Sequence, residues 1–503
     1  MNFLFWTHAS RGDIDNWGRL GNDGWSWDEL EPYYRKTEAY RNPTRKTEID
    51  LKTKYVLPAI HGTQGPIENT FPDGYGPLDT AWPRTFETLG LAVDGDPRDG
   101  LALGGYTNLI NMAEDHTRSY AATAYYGPAA KRKNLKVITG AMIDRVLLEA
   151  TGKSKIASGV VWATGNETFV TKAKKEVIVS AGTFGSPSIL ERSGIGSPEL
   201  LSLHNISTVV ENKNVGENLQ DHAYVPIGYV VNPGIPTIED FYNDTYFEEA
   251  FDEYLANHTG PLATTGASSA LLTLSQIGGG RPHLLRFHAG PSISPSFAAQ
   301  YDLIFRGLED EAIAQELSIT GGMSPEFAND TSKLFTVSDD GHFFSILGVL
   351  EHPFSRGSVH ISSSEPTAYP ILDPNYLSHP LDIDLLAIIA LHLQKVTKTK
   401  PLSNLLQGNG TIYQPGYAKL TEGNVREWIR KSLQSEYHPT GTCAMLPKRV
   451  GGVVDSKFRV YGVKNLRVVD ASVFPLLPRA NIQTLVYAVA ERAVDWILEG
   501  AQL

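Results

Sequence analysis

Short apolar runs and amphipathic segments alternate along this chain without an internal repeat. Four runs between residues 134 and 181 have the composition of strands, namely Leu135–Thr139, Met142–Leu148, Ala157–Trp162 and Glu176–Ala181. The last run is nearly unbroken and apolar, which predicts a strand covered on both faces. The glycine-rich stretch 181–187 follows and leads into a helix. Such a turn either lets a flat or phosphorylated ligand approach the backbone or is only a tight connection, and the segment alone does not decide.

Elsewhere the pattern predicts further elements and one long irregular region. We expect strands over Phe343–Leu350 and Gly357–Ser362 and a helix over Asp382–Thr397. Residues 224–341 lack a clear period, and their aromatic residues between Phe241 and Tyr254 are typical of a long loop that serves a site or a lid.

The two ends of the chain contain predicted helices. Ser26 or Asp28 is placed to cap one near the start, and Leu485–Ile497 has apolar positions at helical spacing, which predicts a scaffold helix. Trp17, Trp25 and Trp27 are expected to be packing anchors rather than ligand-stacking groups.

Length, composition and charge exclude several classes of protein. At 503 residues the chain needs more than one core, and 41% hydrophobic with 20% charged residues is ordinary globular composition. A net charge of -12 supplies no basic stripe for nucleic acid, so that partner is not expected. No apolar run has the length of a membrane span, and no Cys/His spacing predicts a metal site.

Localisation is left open by the sequence. The single cysteine, Cys443, allows no disulfide within the chain, and the first residues lack the basic segment of a secretory leader. Six Asn-x-Ser/Thr triplets would suit a glycoprotein, at Asn166, Asn205, Asn243, Asn257, Asn329 and Asn409. About three are expected by chance, so we predict either a secreted protein, if a leader precedes these residues, or a cytoplasmic one.

Candidate chemistry is concentrated in the last seventy residues. His438 lies in the turn-prone stretch 435–443, and Asn481 follows the apolar stretch 465–477. An imidazole with a pKa near ambient pH is suited to proton transfer, and an amide can orient the same group. Without further information, a His followed by Pro and Gly-Thr is more often a structural turn residue.

Several blocks of sequence, in order, resemble the glucose-methanol-choline (GMC) family of FAD-dependent oxidoreductases, especially fungal members related to aryl-alcohol oxidases. The matching blocks are 15–27, 175–187, 193–196, 214–222 and the C-terminal stretch from His438. The resemblance implies an α/β, two-domain fold: an FAD-binding domain and a substrate domain built on an antiparallel sheet covered by helices. It implies a flavin-adjacent segment (1–45), a substrate-domain or lid segment (46–130), FAD-binding portions (131–223 and 446–503) and a substrate-binding portion (224–445).

One part of the family pattern is not found. Family members open with a βαβ unit whose Gly-x-Gly-x-x-Gly turn holds the FAD pyrophosphate, and no such turn follows an apolar strand in these 503 residues. Met1-Asn2 resembles the pair just after a later flavin-contacting turn. The resemblance therefore predicts a chain shortened at its N-terminus, with uncertain affinity for FAD.

The resemblance also implies site residues. His438 would be the base that takes the alcohol proton, and Asn481 would hydrogen-bond the same hydroxyl. His222 and the other histidines are expected to be structural or rim residues. Flavin contacts are implied for Asn2, Ile143, Asp470, Ala471, Gln483 and Thr484. Taken singly, Ile143 is equally explained by strand packing and Asp470 by helix capping.

The sequence leaves three functions to compare. The first is oxidation of a small alcohol, aromatic or polyketide-like, with oxygen or a quinone as electron acceptor. The second is a related enzyme that uses His438 for proton transfer alone, in a cyclisation or dehydration. The third is an inactive or purely binding relative.

Overall fold

The structure is a computed structural model that describes residues 2–152, 154–263, 265–266, 268–278, 295–325, 330–335, 341–414, 416 and 419–501. Its helices of six or more residues are Arg11–Arg19, Trp27–Thr37, Arg45–Asp50, Pro77–Thr88, Gly182–Arg192, Pro198–Leu203, Asp244–Asn257, Pro295–Gly307, Pro380–Thr397, Val425–Ser432 and Gln483–Ala501. Among the described residues, no helix combines the length and the hydropathy needed to cross a bilayer.

A large antiparallel sheet forms the centre of one half of the molecule. Its strands lie in the order Ile412–Gln414, Ala223–Val230, Phe343–Leu350, Ala314–Ile319, Ser268–Leu272 and Gly104–Thr107, and Gln434–Ser435 also pairs with Ala223–Val230. The helix Pro380–Thr397 packs on Phe343–Leu350. Gly348 permits this close approach, since a Cβ there would lie 2.6 Å from Ile389 Cγ2.

The other half combines a meander with parallel strands. Met142–Thr151, Ser154–Thr164 and Glu167–Lys172 pair antiparallel, and Val463–Lys464 adds parallel to Ser154–Thr164. Val177–Val179 pairs parallel with Leu466–Val468. The remaining strands form small sheets: Glu217–Leu219, Gly357–His360 and Ile371–Asp373; Phe5–Trp6 with Leu109–Ile110; Ile195–Gly196 with Val210–Glu211; and Glu38–Tyr40 with Ile67–Asn69. The predicted α/β, two-part architecture is confirmed.

The N-terminal tryptophans fix the first helices against the C-terminal segment. Trp17 and Trp25 are buried, with ring centroids 5.3 Å apart. The indole N–H of Trp17 donates to the Leu476 carbonyl at 3.0 Å, and that of Trp25 donates to the Ser456 carbonyl at 3.0 Å. The prediction that the three tryptophans are packing anchors is confirmed, since Trp27 is buried as well.

Two predictions about strands are wrong. Residues 135–139 lie in no strand, and the side chains of Leu135, Val137 and Ile138 are 41–52% exposed. The strand Val177–Val179 is not covered on both faces, because the Ile178 side chain is 41% exposed. Apolar β-branched residues favour a strand, but they supply no partner for its backbone. The predicted strands at Met142, Ala157, Phe343 and Gly357 are confirmed.

The prediction of an irregular region over residues 224–341 is also wrong. It contains most of the strand Ala223–Val230 and two further strands of the large sheet, Ser268–Leu272 and Ala314–Ile319, and the residues of these two are all buried. Their polar side chains hide the strand pattern, and two of these side chains, Glu316 and Ser269, have partners on other elements. The Glu316 carboxylate contacts His392 Nδ1 at 2.6 Å, and the Ser269 hydroxyl accepts from the Asn108 amide at 2.6 Å.

Ile389→Ala tests the packing of the long helix on the large sheet. The Ile389 side chain is fully buried against Gly348, so its truncation leaves a cavity and should lower the free energy of unfolding by about 2–5 kcal/mol. Ile388→Ala is the matched control, because the neighbouring isoleucine is only partly buried and should cost clearly less. Thermal unfolding followed by circular dichroism measures both, and equal losses would contradict this packing.

Candidate active site

The loop that carries His438 is fixed by the segment that ends in His222. Glu436 N–H donates to the His222 carbonyl at 2.9 Å, and Gln220 and Thr440 exchange backbone hydrogen bonds of 3.1 and 2.8 Å. The backbone N–H of His438 donates to Asp221 Oδ1 at 2.8 Å. Tyr437, immediately before His438, has a φ of 63°, in the left-handed region. These bonds hold an unfavourable backbone conformation that aims the imidazole inward.

Asn481 sits in a second loop, held by buried carboxylates. Arg479 N–H donates to Asp13 Oδ2 at 2.9 Å, and Ala480 N–H donates to a Glu351 carboxylate oxygen. Ala480 has a φ of 66°, so this site residue too follows a left-handed residue. The backbone N–H of Asn481 donates to the Thr7 hydroxyl at 3.0 Å.

The structure brings the two predicted catalytic residues together. Asn481 Nδ2 lies 3.3 Å from His438 Nε2, and both side chains are buried. Asn481 also lines a cavity of about 350 Å³ whose walls are mostly apolar. Its other lining residues are Phe3, Phe5, Tyr224, Leu317, Ile319, Met323, Leu334, Phe335, Leu347, Glu436 and Tyr437. A small apolar molecule with one polar end would fit this shape and lining.

Of the two roles expected for His222, structural or rim, the rim role does not apply, because its ring is buried behind His438. The two Nδ1 atoms are 3.0 Å apart, and His222 Nε2 lies 3.0 Å from the Glu351 carbonyl oxygen. Burial, followed by the neighbouring His438, holds the pKa of His222 well below its usual value. His222 is therefore uncharged at neutral pH.

Two carboxylates face the histidine pair. Glu436 Oε2 lies 3.5 Å from His438 Nδ1, and Glu351 Oε2 lies 3.6 Å from His222 Nε2. Burial, followed by repulsion from Glu436, raises the pKa of Glu351 to about 8. Glu351 is thus mostly protonated at neutral pH and adds little negative charge beside the histidines.

One group of possible metal ligands coincides with this site, although the sequence predicts none. The donor atoms of His222, Glu436 and His438 all lie within 4.8 Å of one another. Two nitrogens on one tetrahedral zinc ion would be about 3.3 Å apart, given Zn–N bonds of about 2.0 Å. The observed 3.0 Å between the Nδ1 atoms is the distance of a direct hydrogen bond.

The predicted flavin contacts form two groups around the C-terminal strand and helix. The Asp470 carboxylate accepts from Gly182 N–H at 3.0 Å and from Ser472 N–H at 2.9 Å, so it caps one turn and anchors the start of another helix. Ala471 follows in the same turn. Gln483 and Thr484 begin the final helix, and the buried Thr484 hydroxyl donates to the Thr7 carbonyl.

The other two predicted contacts are placed differently. Ile143 pairs with Trp162 in the meander, and its carbonyl accepts from Arg192 Nη2 at 3.4 Å; its backbone contact with adenine stays a prediction. Asn2 begins a 3-10 turn, and its side chain lies outside what the structure describes.

Sequence reasoning missed the residues that support the pair. Thr7, Asp13 and Glu351 are far from His438 and Asn481 in sequence, and no local pattern connects any of them with the pair. Asp221 and His222 are different, because they end the block 214–222 that carried the family resemblance. The Asp-His pair at the end of such a block is the sequence signal for residues that contact the site.

Comparison with known proteins identifies the family. The chain matches sequence profiles of the GMC oxidoreductases over residues 1–224 and 353–490. It is 33% identical to Dehydrogenase mpl7 of Monascus purpureus over 528 aligned residues, covering 99% of this chain and 82% of that protein. It is 31% identical to a glucose oxidase of Aspergillus carbonarius, covering 98% and 77%.

Solved structures show the same fold. An FAD-dependent oxidoreductase from Chaetomium thermophilum superposes with a TM-score of 0.87 at 25% identity, covering 99% of this chain and 85% of that one. A fungal aryl-alcohol oxidase superposes with a TM-score of 0.85 at 26% identity, covering 100% and 85%.

The fold and these matches define an FAD-dependent oxidoreductase of the two-domain α/β type. The chain belongs to the GMC oxidoreductase family, and FAD is the family's cofactor.

Glu351→Gln tests the buried carboxyl beneath the site. The folded protein holds a proton on Glu351 up to about pH 8, whereas the unfolded chain releases it near the ordinary value of 4.5. Folding stability from this group therefore falls as pH rises between these two values. Glutamine cannot ionise and still accepts from Ala480 N–H. The variant should lose less thermal stability than the parent from about pH 5 to about pH 8.

The control is Glu365→Gln, since that side chain is exposed. It should follow the parent protein at every pH. A Glu351→Gln variant with the parent's pH dependence would contradict a neutral Glu351.

Proposed function

We propose that this protein oxidises the CH–OH group of a small alcohol, with His438 as the base and Asn481 as the residue that orients the hydroxyl. The observation that carries the proposal is the 3.3 Å contact between His438 Nε2 and the Asn481 amide, beside an apolar cavity. A base must lie within hydrogen-bond reach of the proton it takes. A hydroxyl oxygen beside the pair, within hydrogen-bond distance of both nitrogens, would meet that condition at the base and would also contact the amide.

Burial of the pair suits the proton transfer. His438 is completely buried, so water does not compete for the alcohol proton once the cavity is filled. Thr7 holds Asn481, because its hydroxyl lies 3.2 Å from the backbone carbonyl oxygen of Asn481 and 3.4 Å from Asn481 Oδ1. The Asn481 N–H group then points at His438 and at any hydroxyl bound there. This supports an orienting role for Asn481 rather than a second base.

The residues of the chain also fit the cofactor. The first backbone N–H groups of the helix Gln483–Ala501 have no carbonyl partner within the helix and favour negative charge. At Gly182, with a φ of 76°, no atom lies within 4 Å of where a Cβ would be, which leaves an open approach to the backbone. Gln483, Thr484 and the Asp470–Ala471 turn would hold FAD, whose isoalloxazine ring accepts the hydride of the alcohol carbon.

The substrate proposed is an aromatic or polyketide-like alcohol. Aromatic and aliphatic side chains make up most of the cavity beside Asn481. A second cavity of about 660 Å³ shares Phe3 and Ile319 with it and is lined by Phe241 and Tyr246, from the aromatic region noted in the sequence. A substrate larger than one ring could therefore extend from the inner cavity into the outer one.

The test compares the 503-residue chain with a form that also carries the coding sequence upstream of Met1. Each is purified and examined for the flavin absorbance spectrum, its bleaching by aryl alcohols without oxygen, and its recovery with oxygen or a quinone. If neither form takes up flavin, the proposal fails. Turnover of a substrate without flavin reduction would instead favour the proton-transfer enzyme considered above.

His438→Ala should remove the base while the cofactor still binds. A positioned general base contributes about 10²–10⁴ to a rate, so flavin reduction by the alcohol should slow by about that factor. Stopped-flow measurement of flavin bleaching gives the rate, and the flavin-to-protein ratio shows that FAD is retained. His204→Ala is the control, since His204 lies at the end of the helix Pro198–Leu203. This variant should reduce flavin at the parent rate. A His438→Ala protein as fast as the parent would exclude this base.

A further inference from the structure

An unbroken line of contacts runs from the Glu351 carbonyl through His222 to His438 and then to Asn481. The first two contacts, from the carbonyl oxygen to His222 Nε2 and between the two Nδ1 atoms, are both 3.0 Å. The ring planes of the two histidines are nearly perpendicular, at 88°. Each histidine uses one ring nitrogen toward the protein interior and one toward the site.

Counting protons along this line leaves one arrangement. A carbonyl oxygen only accepts, so His222 must carry its proton on Nε2. A neutral imidazole has one N–H group, which makes His222 Nδ1 an acceptor. The 3.0 Å contact between the Nδ1 atoms then requires the proton on Nδ1 of His438. His438 Nε2 is left as a bare lone pair toward Asn481.

The surroundings support a neutral His222. The carboxylates that face it are Glu351 Oε2 at 3.6 Å from Nε2 and Glu436 Oε2 at 3.9 Å from Nδ1, both too distant for a direct hydrogen bond. The raised pKa of Glu351 also removes most of its charge at neutral pH.

We propose that His222 is a positioning residue: it accepts the Nδ1 proton of His438 and thereby fixes Nε2 as the atom that takes the alcohol proton. This inference rests on the proposed function only for its catalytic consequence. When the alcohol O–H bond breaks, its proton goes to His438 Nε2, and the resulting imidazolium still donates from Nδ1 to His222. No electrons pass through either histidine in this step.

His222 is a better acceptor than its competitor. Glu436 Oε2 lies 3.5 Å from the same His438 Nδ1, beyond the 3.0 Å to His222. Without His222, the Nδ1 proton would lose its short contact, and His438 could place its proton on Nε2 instead. A His438 protonated on Nε2 cannot accept the alcohol proton there.

The first experiment reads the proton positions directly. Nitrogen-15 NMR of the protein labelled at histidine distinguishes the two neutral tautomers of each ring, and His438→Ala and His222→Asn spectra assign the signals. We expect the Nδ1–H tautomer for His438 and the Nε2–H tautomer for His222. A His438 signal of the Nε2–H tautomer overturns the inference. So does stoichiometric zinc in metal analysis of the purified protein, since a metal would replace the shared proton.

The second experiment compares two substitutions in the flavin-bound enzyme. Asparagine at 222 can place its amide oxygen near the former Nδ1 position and still accept, whereas leucine cannot. Loss of a buried acceptor predicts that His222→Leu lowers kcat by about 10- to 100-fold with little change in KM. It should also shift the pH profile of kcat, while His222→Asn stays within about threefold of the parent. Equal losses in both variants, with an unchanged pH profile, would show that His222 only fills space.

The two readouts separate this inference from the proposed function. If NMR shows the expected tautomers but no alcohol reduces the flavin, the function fails and the proton assignment stands. If alcohols reduce the flavin but His438 carries its proton on Nε2, the function stands and the inference fails. The parent spectra, assigned with His438→Ala and His222→Asn, suffice for this even if His222→Leu does not fold.

Discussion

The site depends on one antiparallel contact, between residues 220–222 and 436–440. Backbone hydrogen bonds join residue 220 to residue 440 and residue 222 to residue 436, and the Asp221 carboxylate accepts a further bond from the His438 backbone N–H. The same short segment then supplies His222 to the His438 ring. Backbone position and ring orientation of the proposed base are thus set by three consecutive residues. A shift of this segment by one residue would disturb both at once.

Buried carboxyl groups perform the equivalent task for Asn481. Asp13, from the first helix, holds Arg479 and also contacts His352 Nε2 at 2.7 Å. Glu351, the residue next to His352, holds Ala480. The pKa of Asp13 is lowered, with His352 and backbone N–H donors outweighing the opposing effect of burial. A charged Asp13 and a neutral Glu351 therefore bind successive residues of one loop, and the protonation state of each carboxyl follows from its own surroundings.

The sequence predicted the elements that repeat a simple pattern and the residues that match a known family. Phe343–Leu350 was predicted correctly because six of its eight residues are large and apolar, and His438 and Asn481 were proposed because their blocks resemble the family. The strand Ala314–Ile319 was missed because its polar residues Glu316 and Ser318 are buried, Glu316 against His392 of a distant helix, which no local pattern records. The contacts of Thr7 and Glu351 with the loop of Asn481 were not predicted for the same reason. Contacts between residues hundreds of positions apart are a property of the fold. In the sequence, the polar residues that make such contacts look like surface residues.

The amide at position 481 suits the proton arrangement proposed for the two histidines. In the proposed arrangement His438 directs its Nδ1 proton to His222 and its Nε2 lone pair to Asn481, so a useful neighbour there must donate. Asn481 does so with its N–H group, since Thr7 engages its oxygen. A second imidazole at 481 would add an acceptor or a positive charge, depending on its protonation, and would compete for the same alcohol proton. An amide stays neutral at every pH. It would therefore leave the proposed base, His438 Nε2, as the atom that takes the alcohol proton.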